Sequence, residues 1–435
     1  MNDSQSQLRT TDDAQREQLR ARVHARLMET LDLAQAQKLD PEALRRECAC
    51  RVETLLAEQR IPVTIGEQKQ IIREVMDEIF GLGPIEKLMR DPLVSDILIN
   101  GPHQIYVERH GNLEQVAIRF RDSDHLMQVI QRIASGVGRR VDESSPMLDA
   151  RLEDGSRVNA IIPPLSLVGP AMSIRRFVQM AIGAQQLVEL GSWSPEMCTF
   201  IEAAVRCRMN VVISGGTGSG KTTLLNVLSR WIPQGERVVT IEDAAELKLQ
   251  REHVVSLETR PPNTEGRGEV NQRDLLKNCL RMRPDRIIIG EVRGSEALDM
   301  LQAMNTGHEG SMTTVHANSP RDALRRIENM VSMAGLQYPV HVIRDQMAHT
   351  LDIVLQVARM TGGRRRIVSV AEITGIERDV ILTQDLFRFA QVGIDELGHA
   401  KGQFEACGVR PRVLQRMEEE GVTLPPSLFQ RRIAG

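Results

Sequence analysis

The stretch Gly215–Thr222 reads Gly-Gly-Thr-Gly-Ser-Gly-Lys-Thr and fits the pattern G-x-x-x-x-G-K-[ST], which is typical of a phosphate-binding loop. The glycines of such a loop let backbone N–H groups point at phosphate oxygens, beside a helix N-terminus that favours negative charge. Lys221 is expected to reach the β- and γ-phosphates of a nucleotide, and the Thr222 hydroxyl to lie on Mg²⁺. The sequence therefore predicts ATP and Mg²⁺ as ligands, with the nucleotide held by Gly215, Gly216, Thr217, Gly218, Ser219, Gly220, Lys221, Thr222 and Thr223.

Two predicted strands end in carboxylates that could act on the same ligand. The run Arg286-Ile-Ile-Ile-Gly-Glu291 places Glu291 at a strand's carboxyl end, where open α/β sheets bind ligands. We assign Glu291 to polarise the attacking water, although a glutamate at a strand end is, taken alone, more often simply solvated. Gly290, directly before Glu291, has no side chain that could contact a metal or a water. A second run, 237–243, ends in Glu242 and Asp243, which could supply those contacts instead. We assign Glu242, with Thr222, to Mg²⁺ and to catalysis.

A third short strand, within Gly307–His316, is framed by two histidines. His316 follows at its carboxyl end, where a neutral imidazole could donate to a γ-phosphate oxygen and a charged one could sense it. For His308 a structural role is about equally expected. No third ligand at metal spacing accompanies them, so we predict no zinc site.

Arginines are frequent between residues 139 and 176: Arg139, Arg140, Arg151, Arg157, Arg175 and Arg176. One arginine set against a transferring phosphate contributes about 10³–10⁵ in rate. At least half of these are expected to be solvated surface residues. Our candidates for a catalytic role are Arg140, Arg157 and Arg176. If they reach the nucleotide from a neighbouring subunit, hydrolysis requires an oligomer.

The elements that must position these residues fall into four predicted regions. Residues 1–80 form an N-terminal helical region, of which the first 20 are polar and frayed; 81–185 form an α+β domain. From 186 to 390 apolar strands alternate with helical stretches, which is typical of a parallel sheet with helices on both faces. A weakly patterned tail runs from 391 to 435. The strands expected in the third region are 210–214, 237–242, 286–290, 310–315, 353–357 and 366–373.

Local signals add detail to the first two regions. Asp40-Pro41 predicts a helix start, and Thr64 with Glu67 predicts a capping box ahead of a second helix. Apolar stripes on these two helices indicate a small bundle: Leu44, Cys48, Val52, Leu55 and Leu56, then Ile72, Val75, Met76 and Ile79. Asp154-Gly155 predicts a β-hairpin turn.

Composition restricts the class of protein. The chain of 435 residues carries a net charge of −3 and 3% aromatic residues, which argues against a general nucleic-acid field and against base-stacking surfaces. No apolar run approaches the ~20 residues needed to span a bilayer, and the first residues lack a signal-peptide core. The six cysteines form no C-x-x-C pair, so we expect reduced thiols in a cytosolic protein.

Taken together, these motifs resemble the secretion ATPase superfamily of type II and type IV systems, most closely the Tad/Flp pilus assembly ATPases of the CpaF type. The resemblance covers about 41–390. It is carried by 81–86, 97–101, 154–159, 173–177, Gly215–Thr222, 240–247, 280–286, 289–294 and 307–318. It identifies Gly215–Thr222 as the Walker A loop, 240–247 as the aspartate box with Glu242 as its acidic member, 287–291 as an atypical Walker B strand, and 307–318 as the histidine box. In that family a glycine replaces the usual Walker B aspartate, as Gly290 does here.

The resemblance also implies an architecture and a biological role. The fold class implied is α/β, a RecA-like P-loop ATPase domain preceded by an α+β (PAS-like) domain and an N-terminal helical bundle. The protein would be a homo-hexamer, cytoplasmic and peripheral at the inner membrane. It would dock on inner-membrane platform proteins, with membrane association only through those partners, and power pilus assembly or protein export. The missing tetracysteine element separates the chain from the pilus-extension and type II branches.

Two other functions stay open at this point. A RecA-like motor that translocates nucleic acid is permitted by the fold, although the acidic net charge and few aromatics argue against it, and we expect no direct nucleic-acid partner. A nucleotide-gated assembly component that binds ATP without turnover is the other alternative.

Overall fold

In the computed structural model, the described residues are 23, 26–27, 41–58, 64–109, 111–176, 182–260, 262, 267–335, 338–396 and 398–431. Contacts divide the chain into two compact units, Met1–Gln179 and Met180–Gly435. The predictions that residues 1–20 are frayed and that Asp40 caps a helix lie outside the described residues, as does the side chain of Leu44.

The first unit begins its described part with two packed helices, α1 (Pro41–Glu58) and α2 (Ile65–Phe80). Their apolar stripes meet: Cys48, Val52, Leu56 and Val75 are buried in one cluster. The capping box is confirmed, because the Glu67 N–H donates to the Thr64 hydroxyl (3.3 Å) and the Thr64 N–H donates to the Glu67 carboxylate (2.8 Å). The predicted helical stripes are thus confirmed where they are described.

A six-stranded antiparallel sheet forms the rest of the first unit, in the order β3-β2-β1-β6-β5-β4. The predicted hairpin around Asp154-Gly155 is confirmed, since β4 and β5 pair antiparallel on either side of it. A helix packs its apolar stripe of Leu126, Ile130 and Ile133 into the core of the unit. The strands are β1 (Val94–Asn100), β2 (Ile105–Arg109), β3 (Asn112–Val116), β4 (Met147–Arg151), β5 (Arg157–Ile161) and β6 (Ala171–Arg175), with α3 (Glu86–Arg90) and α4 (Ser123–Gly136).

The second unit is built on a nine-stranded sheet in the order β15-β14-β13-β12-β7-β11-β10-β8-β9, of which β13 is Arg365–Glu377, β14 is Val380–Ile394 and β15 is Ala400–Ala406. The strands from β12 to β9 in that order pair in parallel, and buried apolar clusters occupy both sides of the sheet. The parallel strands are β7 (Val211–Gly215), β8 (Val238–Glu242), β9 (Val254–Glu258), β10 (Arg286–Ile289), β11 (Met312–Val315) and β12 (Ile353–Arg359). The helices are α5 (Ala184–Glu189), α6 (Pro195–Arg206), α7 (Lys221–Ser229), α8 (Gln272–Cys279), α9 (Glu296–Asn305), α10 (Pro320–Ser332), α11 (Val340–Thr350) and α12 (Leu414–Glu419).

This topology confirms the predicted α/β class and brings the functional motifs to one edge. The strand that precedes the phosphate loop, β7, lies between β11 and β12, and β10 and β8 follow in order on the β11 side. Because parallel strands end at the same edge of a sheet, the segments after β7, β8, β10 and β11 share that edge. The PAS-like character of the first unit and the domain boundaries stay predictions.

Two expectations about the C-terminal third differ from the structure. The predicted strand 366–373 belongs to β13 (Arg365–Glu377), which runs antiparallel to β12. The weakly patterned tail from 391 instead contains the end of β14 (Val380–Ile394), then β15 (Ala400–Ala406) and α12. Met417 and Phe429 are buried in the core of the unit. Burial in this segment is slight, since only Leu386 and Phe387 of β14 and Ala400 of β15 are buried, and the segment therefore shows no clear buried face.

Every described helix is too short or too polar to cross a membrane. All six cysteines carry free thiols.

Candidate active site

The phosphate loop joins the buried strand β7 to α7 in the arrangement that its sequence predicts. Gly218 (φ 68°) and Gly220 (φ 98°) adopt the left-handed conformation, which glycine allows without strain. The Lys221 ammonium donates to the carbonyls of Gly215 and Gly216, both at 3.0 Å, so it lies back over the loop. Burial lowers the pKa of Lys221, while the nearby charge of Glu291 acts in the opposite direction.

Glu242 occupies the space that Gly290 leaves open. Glu242 is 3% exposed, and its Oε1 accepts the backbone N–H groups of Glu246 (2.8 Å) and Leu247 (3.0 Å). A Cβ added at Gly290 would lie 2.9 Å from Glu242 Cγ and 3.4 Å from its Oε1. The glycine in place of the usual aspartate therefore has a physical reason: the end of β8 supplies a carboxylate where an aspartate on β10 would stand.

The carboxylate beside the Thr222 hydroxyl is that of Glu246, whose Oε2 lies 3.5 Å from Thr222 Oγ1. Mg²⁺ in nucleotide sites is usually held by one or two protein oxygens together with phosphates and waters. A hydroxyl with a neighbouring carboxylate fits that requirement. No group of three or more His, Cys, Asp or Glu side chains that could hold a metal by itself occurs among the described residues. The assignment of Glu242 to Mg²⁺ stays a prediction; the structure gives its Oε1 to the backbone.

Glu291 follows β10 and is held by an arginine. Its Oε2 accepts from Arg293 Nη2 at 2.8 Å, and Arg293 Nη1 lies 3.4 Å from Asp243 Oδ2 at the end of β8. Burial alone would raise the pKa of Glu291, but the Arg293 hydrogen bond and the charges of Arg293, Lys221 and His316 bring it below its ordinary value. Glu291 is therefore ionised at neutral pH and lies within electrostatic reach of the phosphate-loop lysine.

His316 follows β11 and shares this electrostatic neighbourhood. Burial and the charge of Lys221 lower the pKa of His316, and Glu291 opposes that shift. The imidazole is therefore neutral at pH 7, which favours the donating role over the sensing role. His308 lies at the other end of the strand, where its carbonyl accepts from the Ser311 hydroxyl at 2.7 Å.

The three candidate arginines belong to the first unit, and each has its own setting there. Arg140 is 77% exposed and pairs with Asp142 (2.5 Å). Arg176 is half-buried and donates to the carbonyls of Asp91 and Val94; burial lowers its pKa. Arg157 lies in β5 directly opposite an arginine on each neighbouring strand, Arg151 and Arg175. Their catalytic roles stay predictions.

Sequence reasoning missed three residues that the structure places at the loop. Arg293 and Glu246 both lay within motifs already noted, but nothing in their spacing showed that Arg293 would bond Glu291 or that Glu246 would lie beside the Thr222 hydroxyl. Arg365, on β13, donates from Nε to the Gly218 carbonyl at 2.9 Å. The only sequence signal for Arg365 was a run of three arginines, 364–366, which ordinarily indicates a solvated turn.

A family model described as "Type II/IV secretion system protein" matches residues 78–391. A putative conjugal transfer protein of Mycobacterium tuberculosis is 36% identical over 312 residues, 70% of this chain and 88% of that protein. The conjugal transfer protein TrbB of Rhizobium radiobacter is 34% identical over 309 residues, 70% of this chain and 90% of its own length.

A more distant relative is the type IV secretion system protein VirB11 of Bartonella quintana, 30% identical over 320 residues, 65% of this chain and 89% of that protein. Among solved structures, the VirB11 ATPase of the Brucella suis type IV secretion system in complex with sulphate aligns over 68% of this chain and 97% of that chain. The sequence identity is 30% and the TM-score 0.37.

Proposed function

This chain belongs to the Type II/IV secretion system protein family, and from that premise we propose that it is an ATPase, a P-loop motor that hydrolyses ATP with Mg²⁺. The observation that carries the proposal is the placement of the phosphate loop, after β7, and of Glu291, after β10, at one edge of the parallel sheet. Arg293 holds the Glu291 carboxylate there at 2.8 Å, and the opposite charges of Lys221 and Glu291 act on each other.

Different groups of the loop would bind different parts of the nucleotide. The N–H groups along 216–222 and at the start of α7 would donate hydrogen bonds to phosphate oxygens. Lys221 would exchange its carbonyl partners for the β- and γ-phosphates. The Thr222 hydroxyl would hold the metal, with Glu246 beside it. A Mg²⁺ ion held there would offset the negative charge of the phosphates.

Glu291 is the residue we assign to orient the attacking water. Its lowered pKa keeps it a hydrogen-bond acceptor at neutral pH, and Arg293 fixes one of its two oxygens, leaving the other for water. His316, neutral and near Lys221, would donate to the γ-phosphate. Glu242 holds the turn 243–247 and so places Glu246.

At a finer level we propose a motor of the Tad/Flp type that powers pilus assembly or protein export. Some relatives are named as conjugal transfer or type IV secretion proteins, which supports a role of this chain in a secretion machine. Within this proposal the chain works as a homo-hexamer at the cytoplasmic side of the inner membrane and docks on platform proteins there. Arg140, Arg157 and Arg176 would contribute positive charge to the nucleotide.

The test separates nucleotide binding from turnover. Lys221→Ala should lose both, because the cation that meets the phosphates is gone. Glu291→Gln should keep nucleotide affinity and lose about 10²–10⁴-fold in turnover, the usual contribution of a positioned acid or base. Matched controls are Lys277→Ala and Glu252→Gln, both at exposed positions of the same unit. Phosphate release by Glu291→Gln at the rate of its control would reject the assignment.

A further inference from the structure

The hairpin of β12 and β13 lies directly against the phosphate loop. Val357 of β12 pairs in register with Gly215, and a Cβ added at Gly215 would come within 2.5 Å of the Val357 carbonyl. The turn that joins the two strands is closed by Met360 N–H to the Arg364 carbonyl (2.7 Å) and by Gly363 N–H to the Met360 carbonyl (3.0 Å). The hairpin therefore reaches the loop as a compact, hydrogen-bonded element.

Arg365, the first residue of β13, contacts the loop at the two glycines that shape it. Its Nε donates to the Gly218 carbonyl at 2.9 Å, and its Cδ would lie 3.2 Å from a Cβ added at Gly220. In a trans peptide the C=O and the following N–H point in opposite directions. With the Gly218 carbonyl held by Arg365, the Ser219 N–H of the same peptide points the other way, and it donates to the Gly216 carbonyl at 3.4 Å.

A second hairpin supports the first. The Thr361 carbonyl accepts from the Ala400 N–H at 3.0 Å, and a Cβ added at Gly362 would overlap His399. The His399 N–H donates to Asp395 Oδ1 at 2.7 Å, which closes the turn between β14 and β15. This turn lies beyond residue 391, where the family match ends. The support of Arg365 therefore comes from a part of the chain outside the matched region.

We propose that Arg365 is a positioning residue that holds the phosphate loop in its binding shape, braced by Asp395, His399 and Ala400. The proposal rests on the proposed nucleotide site and deepens it. Since the loop receives phosphates that ADP and ATP share, loss of Arg365 should weaken both ligands alike. The rate at saturating ATP should change little, because Arg365 is placed to act on the loop rather than on the reacting phosphate.

The experiment compares Arg365→Ala with Arg364→Ala, an exposed arginine one residue earlier in the same turn. Dissociation constants are measured by calorimetry for ADP and for a non-hydrolysable ATP analogue, together with turnover at saturating ATP. We expect Arg365→Ala to weaken both ligands by about three- to tenfold, as for loss of one charge-assisted hydrogen bond at an exposed site. Arg364→Ala should leave both constants within twofold. His399→Ala should weaken both ligands in the same direction, by less.

Two results would overturn the proposal. One is equal affinity in the Arg365→Ala and Arg364→Ala proteins, with unfolding midpoints that show both are folded. The other is a loss of affinity for the ATP analogue alone, which would place Arg365 at the γ-phosphate. A wild-type protein that binds ADP but never releases phosphate would reject the ATPase assignment and leave this comparison of affinities intact.

Discussion

Replacing Gly290 by alanine tests whether Glu242, at the end of β8, fills the space beside Gly290, which follows β10. The new Cβ would lie 2.9 Å from Glu242 Cγ, a separation that real Cβ atoms essentially never show. Glu242 cannot move aside freely, because it is buried and its Oε1 holds two backbone N–H groups. Overpacking of this kind costs about 1–3 kcal/mol. With about 2–4 °C per kcal/mol for a unit of this size, we expect Tm to fall by about 2–12 °C.

The control for this prediction is Gly235→Ala in the same unit, where an added Cβ would meet nothing within 4 Å. A glycine-to-alanine change at an unstrained site alters stability by about 0.4–1 kcal/mol through the unfolded chain, so this variant should match or exceed the wild type. Thermal unfolding followed by circular dichroism gives both values.

A double-mutant cycle locates the cause. In a Glu242→Ala background the obstructing Cγ is absent. Gly290→Ala should then lower the free energy of unfolding by no more than Gly235→Ala does. Two results would contradict this reasoning. One is a Tm of the Gly290→Ala protein equal to that of the wild type. The other is an equal loss of unfolding free energy from Gly290→Ala with and without the Glu242 side chain, which would show that the two strand ends do not compete for one space.

Two further predictions concern charge and assembly. Arg293→Ala removes the hydrogen bond and the charge that lower the pKa of Glu291 and leaves its burial, so the pKa should rise and the acid limb of the kcat/KM profile should move to higher pH; an unmoved limb would contradict this. If Arg157 or its neighbours act across subunits, turnover per subunit should rise with protein concentration in step with native mass, whereas constant turnover in a monomer would exclude a shared site.

The sequence predicts the parallel half of the second unit well, and the reason is burial. The strands β7, β8, β10 and β11 are covered on both faces, with every residue buried, and their apolar residues do not alternate with exposed polar ones. The strand β14 has only Leu386 and Phe387 buried among its fifteen residues, so its periodicity is too weak to identify. The same weakness hid β15, and with it the support of Arg365.

For the site, sequence patterns identified the loop and the strand that carries each acid, but not how side chains pair. That Glu246 faces Thr222 and that Arg293 joins Glu291 to Asp243 depends on the path of two short connections after β8 and β10. Spacing along the chain does not determine such contacts, because Glu246 and Thr222, like Arg293 and Asp243, lie on different segments of the chain.

The strand β10 is tied down at both ends. At its start Arg286 is fully buried, paired with Glu236 (2.6 Å) and bonded to the Val205 carbonyl; at its end the Gly290 carbonyl accepts from the Thr314 hydroxyl at 2.6 Å. These contacts hold β10 in place at both of its ends, just before Glu291. If the protein rearranges during a nucleotide cycle, we therefore expect the change near this acid to occur in the connections that flank the sheet edge and not in the strand itself.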